Sequence, residues 1–172
     1  QLYALRSTIG ELKTELARER ILDINPDAQI SLYSAFVADN EIDKVLSLQT
    51  DTDVIIDAID SVKTKVALIA KATKRGTPVF SSMGAGFKID PTKVRCQGLS
   101  KTHTDPLARI MRRELKAQGI VNLPVVFSDE LPGVTPGTGK ADSADKSAPP
   151  ASCSLVPPAF GLALASLVLQ HL

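Results

Sequence analysis

The sequence predicts an α/β fold, in which a doubly wound, mostly parallel sheet carries helices on its faces. Apolar runs of strand length alternate with helical patterns from Gln29 to Ser128, and this order implies parallel strands joined by right-handed crossovers. Hydrophobic residues make up 44% of the 172 residues, aromatic residues only 4%, and there is no Trp. Such a composition is typical of helices packed on a sheet, and we expect residues 1–172 to form one such domain.

Charge and cysteine content exclude several classes of protein. The formal net charge is +1, so bulk charge favours neither nucleic acid nor membrane as a partner. Cys96 and Cys153 are too few for a disulfide framework, and the lack of a Cys-x-x-Cys pair argues against a zinc site. His103 and His171 are far apart in sequence and lack partner ligands, so we assign neither a catalytic role. We therefore expect a protein of a reducing compartment.

The stretch DVIIDAIDSVKTK, residues 53–65, organises the rest of the chain. Its apolar run Val54–Ile56 predicts a strand that is buried on both faces. Asp57 and Asp60 follow at the carboxyl end of that strand, the edge where ligands bind in open α/β sheets, and Asp60 with the following serine can cap a helix from Val62. Two carboxylates there suit a metal-bound phosphate, although turn and cap residues are the alternative interpretation.

The chain before this stretch contains a helix, a strand and a short helix. Ser7 or Thr8 can cap a helix from Ile9 to Ile24, which carries an apolar stripe and ends before Asn25-Pro26. The other two elements are a strand of alternating polarity and a short capped helix, which we expect at residues 29–34 and 39–48.

After this stretch, strands and helices continue to alternate. The helix from Val62 directs Val66, Ile69 and Thr73 toward the core and ends at Gly76. The other elements are three strands at residues 78–81, 94–99 and 124–128, and a helix that Asp105-Pro106 opens and Gln118 ends.

A short loop with two glycines follows the strand at residues 78–81. It comprises Met83, Gly84, Ala85 and Gly86, and its glycines allow backbone to approach a ligand closely. Because the loop leaves a parallel strand at the edge that carries Asp60, we predict that it faces a substrate. A plain exit from strand to loop is the alternative.

Four cations lie at positions i, i+3, i+4 and i+7 of the helix predicted to begin after Asp105. They are Arg109, Arg112, Arg113 and Lys116. Such a stripe is commonly a solvated face, but only Glu114 interrupts it, and on another side of the helix. A solvated face and contact with nucleic-acid phosphates are therefore about equally favoured interpretations of the stripe.

The C-terminal part divides into a polar segment and an apolar tail. Residues Leu131 to Ser152 are rich in Pro, Gly, Ser, Ala and Asp, which predicts a flexible segment. Only about 14 residues follow Pro157-Pro158, fewer than the roughly 20 that a helix needs to cross a bilayer. We expect a buried helix at residues 158–171, with membrane association as the alternative.

The order of four segments carries a family resemblance. DAIDSVKTKVALI, PVFSSMGAGFKIDPTKVR, LSKTHTDPLARIMRREL and PVVFSDE resemble, in that order, the tRNA threonylcarbamoyladenosine dehydratases, which belong to the ThiF-type adenylating superfamily of ubiquitin-activating-like enzymes. The resemblance runs from Gln1 to about Glu130 and resumes near Leu155. It is specific, because SSMGAG and SKTHTDPL separate this family from its molybdopterin and thiamin relatives.

The resemblance implies an ATP-dependent reaction on tRNA. The carboxylate of threonylcarbamoyladenosine would attack the α-phosphorus of ATP, pyrophosphate would leave, and the side chain of the nucleoside would then close a ring. The implied cofactors are ATP and magnesium. The implied substrate is tRNA, which makes phosphate binding the favoured interpretation of the cation stripe. By the same resemblance Asp60 is the catalytic and magnesium-binding residue, Lys13 contacts the ATP phosphates, and Gln1 matches the last residue of an Asn-x-x-Arg-Gln segment at the ATP site. We also assign Asp57 to the ATP site, where we expect it to support the turn and not to hold the metal.

The resembled fold has further parts that would precede Gln1. These are a strand, a Gly-rich phosphate loop and a helix, with an acid for the ribose and an arginine for the phosphates. We therefore expect a truncated domain that is inactive alone. The polar segment corresponds to the crossover loop of the superfamily or to an insertion beside it. Cys153 lies near that segment, but no basic residue flanks it in the sequence to activate the thiol, and we interpret it as a bystander.

Two alternatives remain open for the function. Activation of a ubiquitin-like carrier protein would need a catalytic cysteine and a groove for a Gly-Gly tail, and the SKTHTDPL segment speaks against it. A non-catalytic fragment that holds tRNA or a partner subunit is the second alternative. We expect a homodimer, with a sulfur carrier or another protein as a further partner. The expected location is cytoplasmic, or the mitochondrial outer membrane if the source is fungal.

Overall fold

The computed structural model describes residues 3–48, 50–131 and 152–172. Its contacts divide the chain into two compact units, Gln1–Phe36 and Val37–Leu172. Gln1 and most of the segment predicted to be flexible, residues 132–151, lie outside the described residues. That residues 1–172 form one adenylating domain stays a prediction.

The first unit contains helix α1 (Lys13–Ile24). We expected the helix to begin at Ile9, and this was wrong because Gly10 adopts φ +99°, a left-handed conformation that a helix does not tolerate. Thr8 does not cap α1; its Oγ1 accepts a hydrogen bond from the Leu5 backbone N–H at 2.8 Å in the preceding turn. None of the residues described in this unit is buried, and the apolar stripe has its ends at Ile9, Leu12 and Ile24 exposed and its middle, Leu16 and Ala17, half-buried.

The strand expected at residues 29–34 is not formed, and these residues run as irregular chain. A strand satisfies its backbone N–H and C=O groups only by pairing with a neighbour, and no described strand pairs with them. Alternating polarity was therefore a poor guide here, because it reports which side chains share a face and not whether a partner exists.

The second unit is built on a sheet of four described strands, β1 (Ile55–Asp57), β2 (Val79–Ser82), β3 (Val94–Gly98) and β4 (Pro124–Ser128). Their order in the sheet is β1-β2-β4-β3. β1 pairs with β2 in parallel, β2 pairs with β4 in parallel, and β3 runs antiparallel to β4. The predicted mostly parallel sheet is confirmed.

β1 lies at an edge of this sheet, which corrects the prediction of a strand covered on both faces. Ile56 is 52% exposed, whereas Ile55 packs against the core on the opposite face. Ile56 points to the face that the C-terminal helix (Val156–His171) covers, and this helix packs mainly on β2, β3 and β4 and leaves this part of the edge strand open. Asp57, its last residue, is fully buried.

Helices cover both faces of the sheet, as a doubly wound fold requires. Helices α2 (Ile42–Ser47), α3 (Val62–Lys74), α4 (Pro106–Lys116) and α5 (Val156–His171) belong to this unit. Along β4, Val125 and Phe127 pack with residues of α3 and α4 such as Ile69 and Met111, whereas Val126 packs with Phe160 of α5. Alternate residues of β4 thus serve two cores, since successive side chains of a strand point to opposite faces.

The predicted starts of the helices are confirmed at α3 and α4 and shifted at the short helix. A 3-10 turn (Asp39–Glu41) precedes α2, and the Glu41 carboxylate, not Asp39 or Asn40, caps this turn by accepting the Ala38 backbone N–H at 3.1 Å. At the other end of α3, Gly76 adopts φ +76°, which confirms it as the residue that ends the helix.

The buried stripe of α3 differs from the prediction. Thr73 is exposed and Val66 only half-buried, whereas Lys65, Leu68, Ile69 and Ala72 are buried. These four positions follow the i, i+3, i+4, i+7 spacing of one helix face. The prediction missed this face because it contains a lysine.

The apolar tail forms α5, which begins two residues earlier than expected. Pro157 and Pro158 lie in its first turn. Backbone N–H groups there have no acceptor within the helix, so proline, which lacks an N–H, is tolerated. Val156, Phe160 and Leu164 are buried against the sheet, but Leu162 and Leu169 on other faces are exposed. The expected buried helix is thus buried on one side. None of the described helices is long and apolar enough to cross a membrane.

Candidate functional site

A cavity of about 600 Å³ opens at the carboxyl ends of β1 and β2. Asp60 lines it together with the loop residues Met83, Gly84, Ala85 and Gly86, as the sequence predicts. The first turn of α4 and the N-terminal half of α5 complete the wall. The apolar side chains of these walls are those of Ile59, Phe87, Pro106, Leu107, Pro157, Phe160 and Leu164.

Asp60 is an exposed carboxylate in this wall. It does not cap α3, because the N-cap position is Ser61 and no side chain makes a cap hydrogen bond there. Ser61 Oγ instead accepts from Thr64 Oγ1 at 3.2 Å. Asp60 forms no hydrogen bond or ion pair with any residue that the structure describes. Its charge is therefore available to a ligand in the cavity.

Asp57 is a buried carboxylate with internal partners. One oxygen accepts from Ser81 Oγ at 2.6 Å and lies 2.7 Å from Lys65 Nζ. The other accepts the backbone N–H of Ile59 at 3.0 Å. This last contact fixes the turn that leads to Asp60, so Asp57 supports the turn as expected. Its contact with ATP stays a prediction, and it is not among the residues that line the cavity.

Lys65 is a buried lysine that the sequence did not single out. Its ammonium donates to the Ile59 carbonyl at 3.1 Å as well as pairing with Asp57. Burial lowers the lysine pKa, and the nearby Asp57 carboxylate opposes that shift. The signal that could have found it is its place on the stripe of Leu68, Ile69 and Ala72, directly after a strand that ends in an acid.

Asp105 connects the glycine loop to helix α4. Oδ1 accepts the Ala108 backbone N–H at 2.9 Å, which confirms the predicted N-cap. Oδ2 accepts the Gly84 backbone N–H at 3.1 Å. A Cβ on Gly84 would lie 3.4 Å from Asp105 Oδ1 and 3.6 Å from Leu107 Cβ. These are ordinary van der Waals distances, so the contact with Asp105 depends on the Gly84 backbone N–H and not on the absence of a side chain.

Lys88 is a second buried lysine that the sequence did not reveal. Its ammonium donates to the Ser128 carbonyl at 3.1 Å and lies 3.7 Å from Asp105 Oδ2. Burial lowers its pKa, and the carboxylates of Asp105 and Glu130 oppose the shift. Lys88 also lines the cavity. Its ion pair joins residues distant in sequence, which no local pattern could indicate.

The four cations of α4 line a separate groove of about 470 Å³, whose other residues include Leu99, Ile120 and Val121. The structure therefore brings Arg109, Arg112, Arg113 and Lys116 together, but gives them different surroundings. Arg112 is half-buried and donates to the Thr102 carbonyl at 2.7 Å and to the Thr102 hydroxyl.

Arg113 lies 2.6 Å from the Glu114 carboxylate, so Glu114 is not remote from the stripe as we expected. Arg109 and Lys116 are exposed, and their side chains form no hydrogen bond or ion pair with another described residue. These two cations are the ones most available to an external anion.

Lys13 is exposed and is the first residue of α1, in the unit Gln1–Phe36. Gln1 lies outside the described residues. The predicted contacts of both residues with ATP phosphates stay predictions. Cys153 packs against the α5 side of the sheet, with its thiol 3.4 Å from the Lys88 carbonyl oxygen.

Comparison with known proteins agrees with this fold. The model of the ThiF family matches residues 1–170. The tRNA threonylcarbamoyladenosine dehydratase of Bacillus subtilis is 36% identical over 180 residues, which cover 100% of this chain and 70% of that protein. The Escherichia coli protein of the same name is 37% identical over 138 residues, which cover 76% of this chain and 51% of its own length.

Solved structures give the same result. The E. coli tRNA N6-threonylcarbamoyladenosine dehydratase, TcdA, in complex with ATP superposes with a TM-score of 0.83 at 33% sequence identity, covering 99% of this chain and 68% of that one. Its complex with AMP gives the same values. From the family match, the identity and the shared fold, we conclude that the chain belongs to the ThiF family and, within it, to the tRNA threonylcarbamoyladenosine dehydratases.

Proposed function

We propose that this protein uses ATP to cyclise threonylcarbamoyladenosine in tRNA. The observation that carries the proposal is Asp60, an exposed carboxylate without a hydrogen-bonding partner among the described residues, in a cavity at the carboxyl ends of parallel strands. This edge is where α/β folds bind nucleotides. Relatives of the chain are named for this reaction, and a structural neighbour binds ATP and AMP.

The reaction has two steps that balance without any further reagent. A carboxylate oxygen of the threonylcarbamoyl group forms a bond to the α-phosphorus of ATP, and the bond from that phosphorus to pyrophosphate breaks. The carbamoyl group of the same side chain then attacks the acyl carbon and gives up one N–H proton to solvent, and AMP leaves with the carboxylate oxygen. The carboxyl group needs this activation because its oxygen is otherwise a poor leaving group. The protein contributes mainly positioning and charge stabilisation.

Asp60 fits a magnesium ion bound together with ATP phosphates. Among the described residues, no group of three or more His, Cys, Asp or Glu side chains could hold a metal. Mg²⁺ does not need such a group, since it commonly binds one or two carboxylates with phosphate oxygens and water. When bound there, the ion would neutralise the charge that develops on the phosphates.

The other predicted residues divide into three roles in this proposal. Lys13, Gln1 and Asp57 serve the ATP phosphates, Asp57 through the turn that it holds. The loop Met83–Gly86 faces the substrate nucleoside, and its backbone is fixed by Asp105. The groove with Arg109, Arg112, Arg113 and Lys116 binds tRNA phosphates, with Arg109 and Lys116 as the available charges.

Activation of a ubiquitin-like carrier protein is not favoured, because the relatives that match are named as tRNA dehydratases. The expected homodimer, the sulfur-carrier partner and the cytoplasmic location stay predictions.

The test uses the protein produced from its complete gene. It is incubated with tRNA that contains threonylcarbamoyladenosine, with ATP and Mg²⁺, and the digested nucleosides are analysed by mass spectrometry. We expect the loss of one water from the modified nucleoside, with one AMP and one pyrophosphate formed per cyclisation. An ATP analogue with a methylene group between the α- and β-phosphorus should not support the reaction. An unchanged nucleoside after incubation with ATP would contradict the proposal.

A further inference from the structure

Phe87 occupies an unusual position in the wall of the cavity. Its backbone has φ +57°, in the left-handed region that bulky side chains rarely adopt. Its side chain nevertheless remains 42% exposed while lining the cavity. A left-handed conformation is unfavourable for an L-residue with a bulky side chain, and the Phe87 ring belongs to neither apolar core cluster of the described residues. The conformation therefore calls for an explanation other than core packing.

The surrounding chain holds Phe87 in this conformation. On one side, the Gly84 backbone N–H donates to Asp105 Oδ2. On the other side, Lys88 is fully buried with its ammonium on the Ser128 carbonyl, and the Ile89 N–H donates to the Glu130 carboxylate at 3.0 Å. A strained backbone conformation persists where contacts of the neighbouring residues hold it in place. Such conformations cluster at ligand sites.

The cavity beside Phe87 suits a flat aromatic ligand. Its volume of about 600 Å³ lies within the usual range for small-molecule sites. Leu107, Phe160 and Leu164 give apolar walls, whereas Asp60 is a charged group in the same cavity. Such a combination binds a molecule with a planar apolar part and a charged part. An adenosine that is joined to a phosphate or a carboxylate has this character when Mg²⁺, as in the proposed function, would lie between that anionic group and the Asp60 carboxylate, because two anions alone repel each other.

We propose that the ring of Phe87 stacks on a purine bound in this cavity. The inference rests on the proposed function, which brings two adenosines together, that of the modified nucleoside and that of ATP. Every base has a π-face, and aromatic side chains are common stacking platforms for bases displaced from their helix.

The test compares three substitutions at Phe87 with a matched control in the cyclisation assay. Phe87→Leu and Phe87→Gly remove the ring, whereas Phe87→Trp keeps an aromatic surface. Ile89→Ala is the control, because the Ile89 side chain is 43% exposed, close in sequence, and not part of the cavity wall. We expect Phe87→Leu and Phe87→Gly to raise KM on the order of 10-fold for one substrate. Phe87→Trp and Ile89→Ala should stay near the wild-type value.

The identity of the affected substrate shows which purine stacks. A higher KM for tRNA assigns the ring to the modified adenosine, and a higher KM for ATP assigns it to the ATP adenine. Thermal melting separates binding from structure: glycine is unstrained at this φ but gives the unfolded chain more freedom, and because these two effects oppose each other Phe87→Gly should change Tm little. A loss of Tm in Phe87→Gly, or unchanged KM values in Phe87→Leu, would overturn the inference.

A binding measurement keeps this inference separate from the proposed function. Calorimetric titration with AMP, and with an anticodon stem-loop that carries threonylcarbamoyladenosine, needs no turnover. If wild-type protein binds either probe but forms no cyclic product, the proposed function fails, and weaker binding by Phe87→Leu still supports stacking. Equal binding of both probes by wild type and Phe87→Leu would overturn the stacking inference alone.

Discussion

Lys65 and Asp57 form an ion pair in which neither side chain is accessible to solvent. Two charges lose their hydration when they are buried, and their attraction offsets this loss only when both partners are present with further hydrogen bonds. Asp57 has those bonds from Ser81 and the Ile59 backbone, and Lys65 has one to the Ile59 carbonyl. The pair thus fixes the turn that places Asp60 in the cavity wall.

The first prediction concerns this pair. Lys65→Met leaves the Asp57 carboxylate buried without its cation, and we expect the free energy of unfolding to fall by about 3 kcal/mol. Lys63→Met, on the exposed face of the same helix, should change it by less than about 0.5 kcal/mol. Chemical denaturation of both variants checks this. Similar, small losses in the two variants would show that the pair contributes little.

At the residue scale, the sequence predicted the exposed Asp60 but missed Lys65 and Lys88. Asp60 follows from a local rule, since an acid after a parallel strand lies at the ligand-binding edge. A lysine is usually solvated, so its burial depends on acids that the fold brings near. For Lys88 that acid is Asp105, on another element. No spacing within the sequence indicates this pair.

Helix α4 gives the clearest example at the element scale, because its cap and its cation stripe were both predicted. The Asp105 cap follows from a side-chain rule that acts within one turn. The stripe follows from the helical period. Whether each cation is available to an external anion depends on its contacts in the folded protein. In the structure, Arg112 contacts Thr102 and Arg113 contacts Glu114.

The second prediction separates the available cations of this stripe from general charge. Arg109→Glu with Lys116→Glu should weaken tRNA binding and reduce the slope of log affinity against log salt by about 2, since each phosphate contact contributes roughly one unit. Lys63→Glu with Lys74→Glu on α3 makes the same change in net charge as a control. Binding isotherms at several salt concentrations measure the slope. If the two double variants show equal slopes, the stripe is a solvated face and does not bind tRNA phosphates.

The elements that the sequence predicted poorly are those that depend on a partner. Residues 29–34 alternate in polarity but form no strand among the described residues, and Ile56 is exposed because β1 lies at the sheet edge. Strand pairing and strand order are properties of the whole sheet, whereas caps, glycine ends and helical stripes are local. The fold class could therefore be predicted from the sequence, but which strand faces are covered by helices could not.

At the scale of the whole molecule, the sheet brings separate sequence motifs to one edge. Parallel pairing of β1 with β2 places their carboxyl ends side by side, which sets Asp60 and the loop Met83–Gly86 in one cavity. β4 lies next to β2 and contributes the Ser128 carbonyl that anchors Lys88. The site is thus a consequence of strand order, and the ThiF-family fold supplies that order.

The measurement that tests the central claim most directly is single-turnover cyclisation by Asp60→Asn. Saturating ATP and Mg²⁺ are used with tRNA that contains threonylcarbamoyladenosine, and Asp53→Asn, an exposed acid at the other end of β1, is the control. Asp60 neither caps α3 nor forms a hydrogen bond or ion pair with a described residue, and its attraction to the buried Lys65 ammonium is weaker than that of Asp57, so Tm should change little.

We predict that Asp60→Asn slows cyclisation on the order of 100-fold, because it removes charge stabilisation at the reacting phosphate. Asp53→Asn should react at the wild-type rate. Near-normal cyclisation by Asp60→Asn, or a rate loss matched by a loss of Tm, would contradict the account.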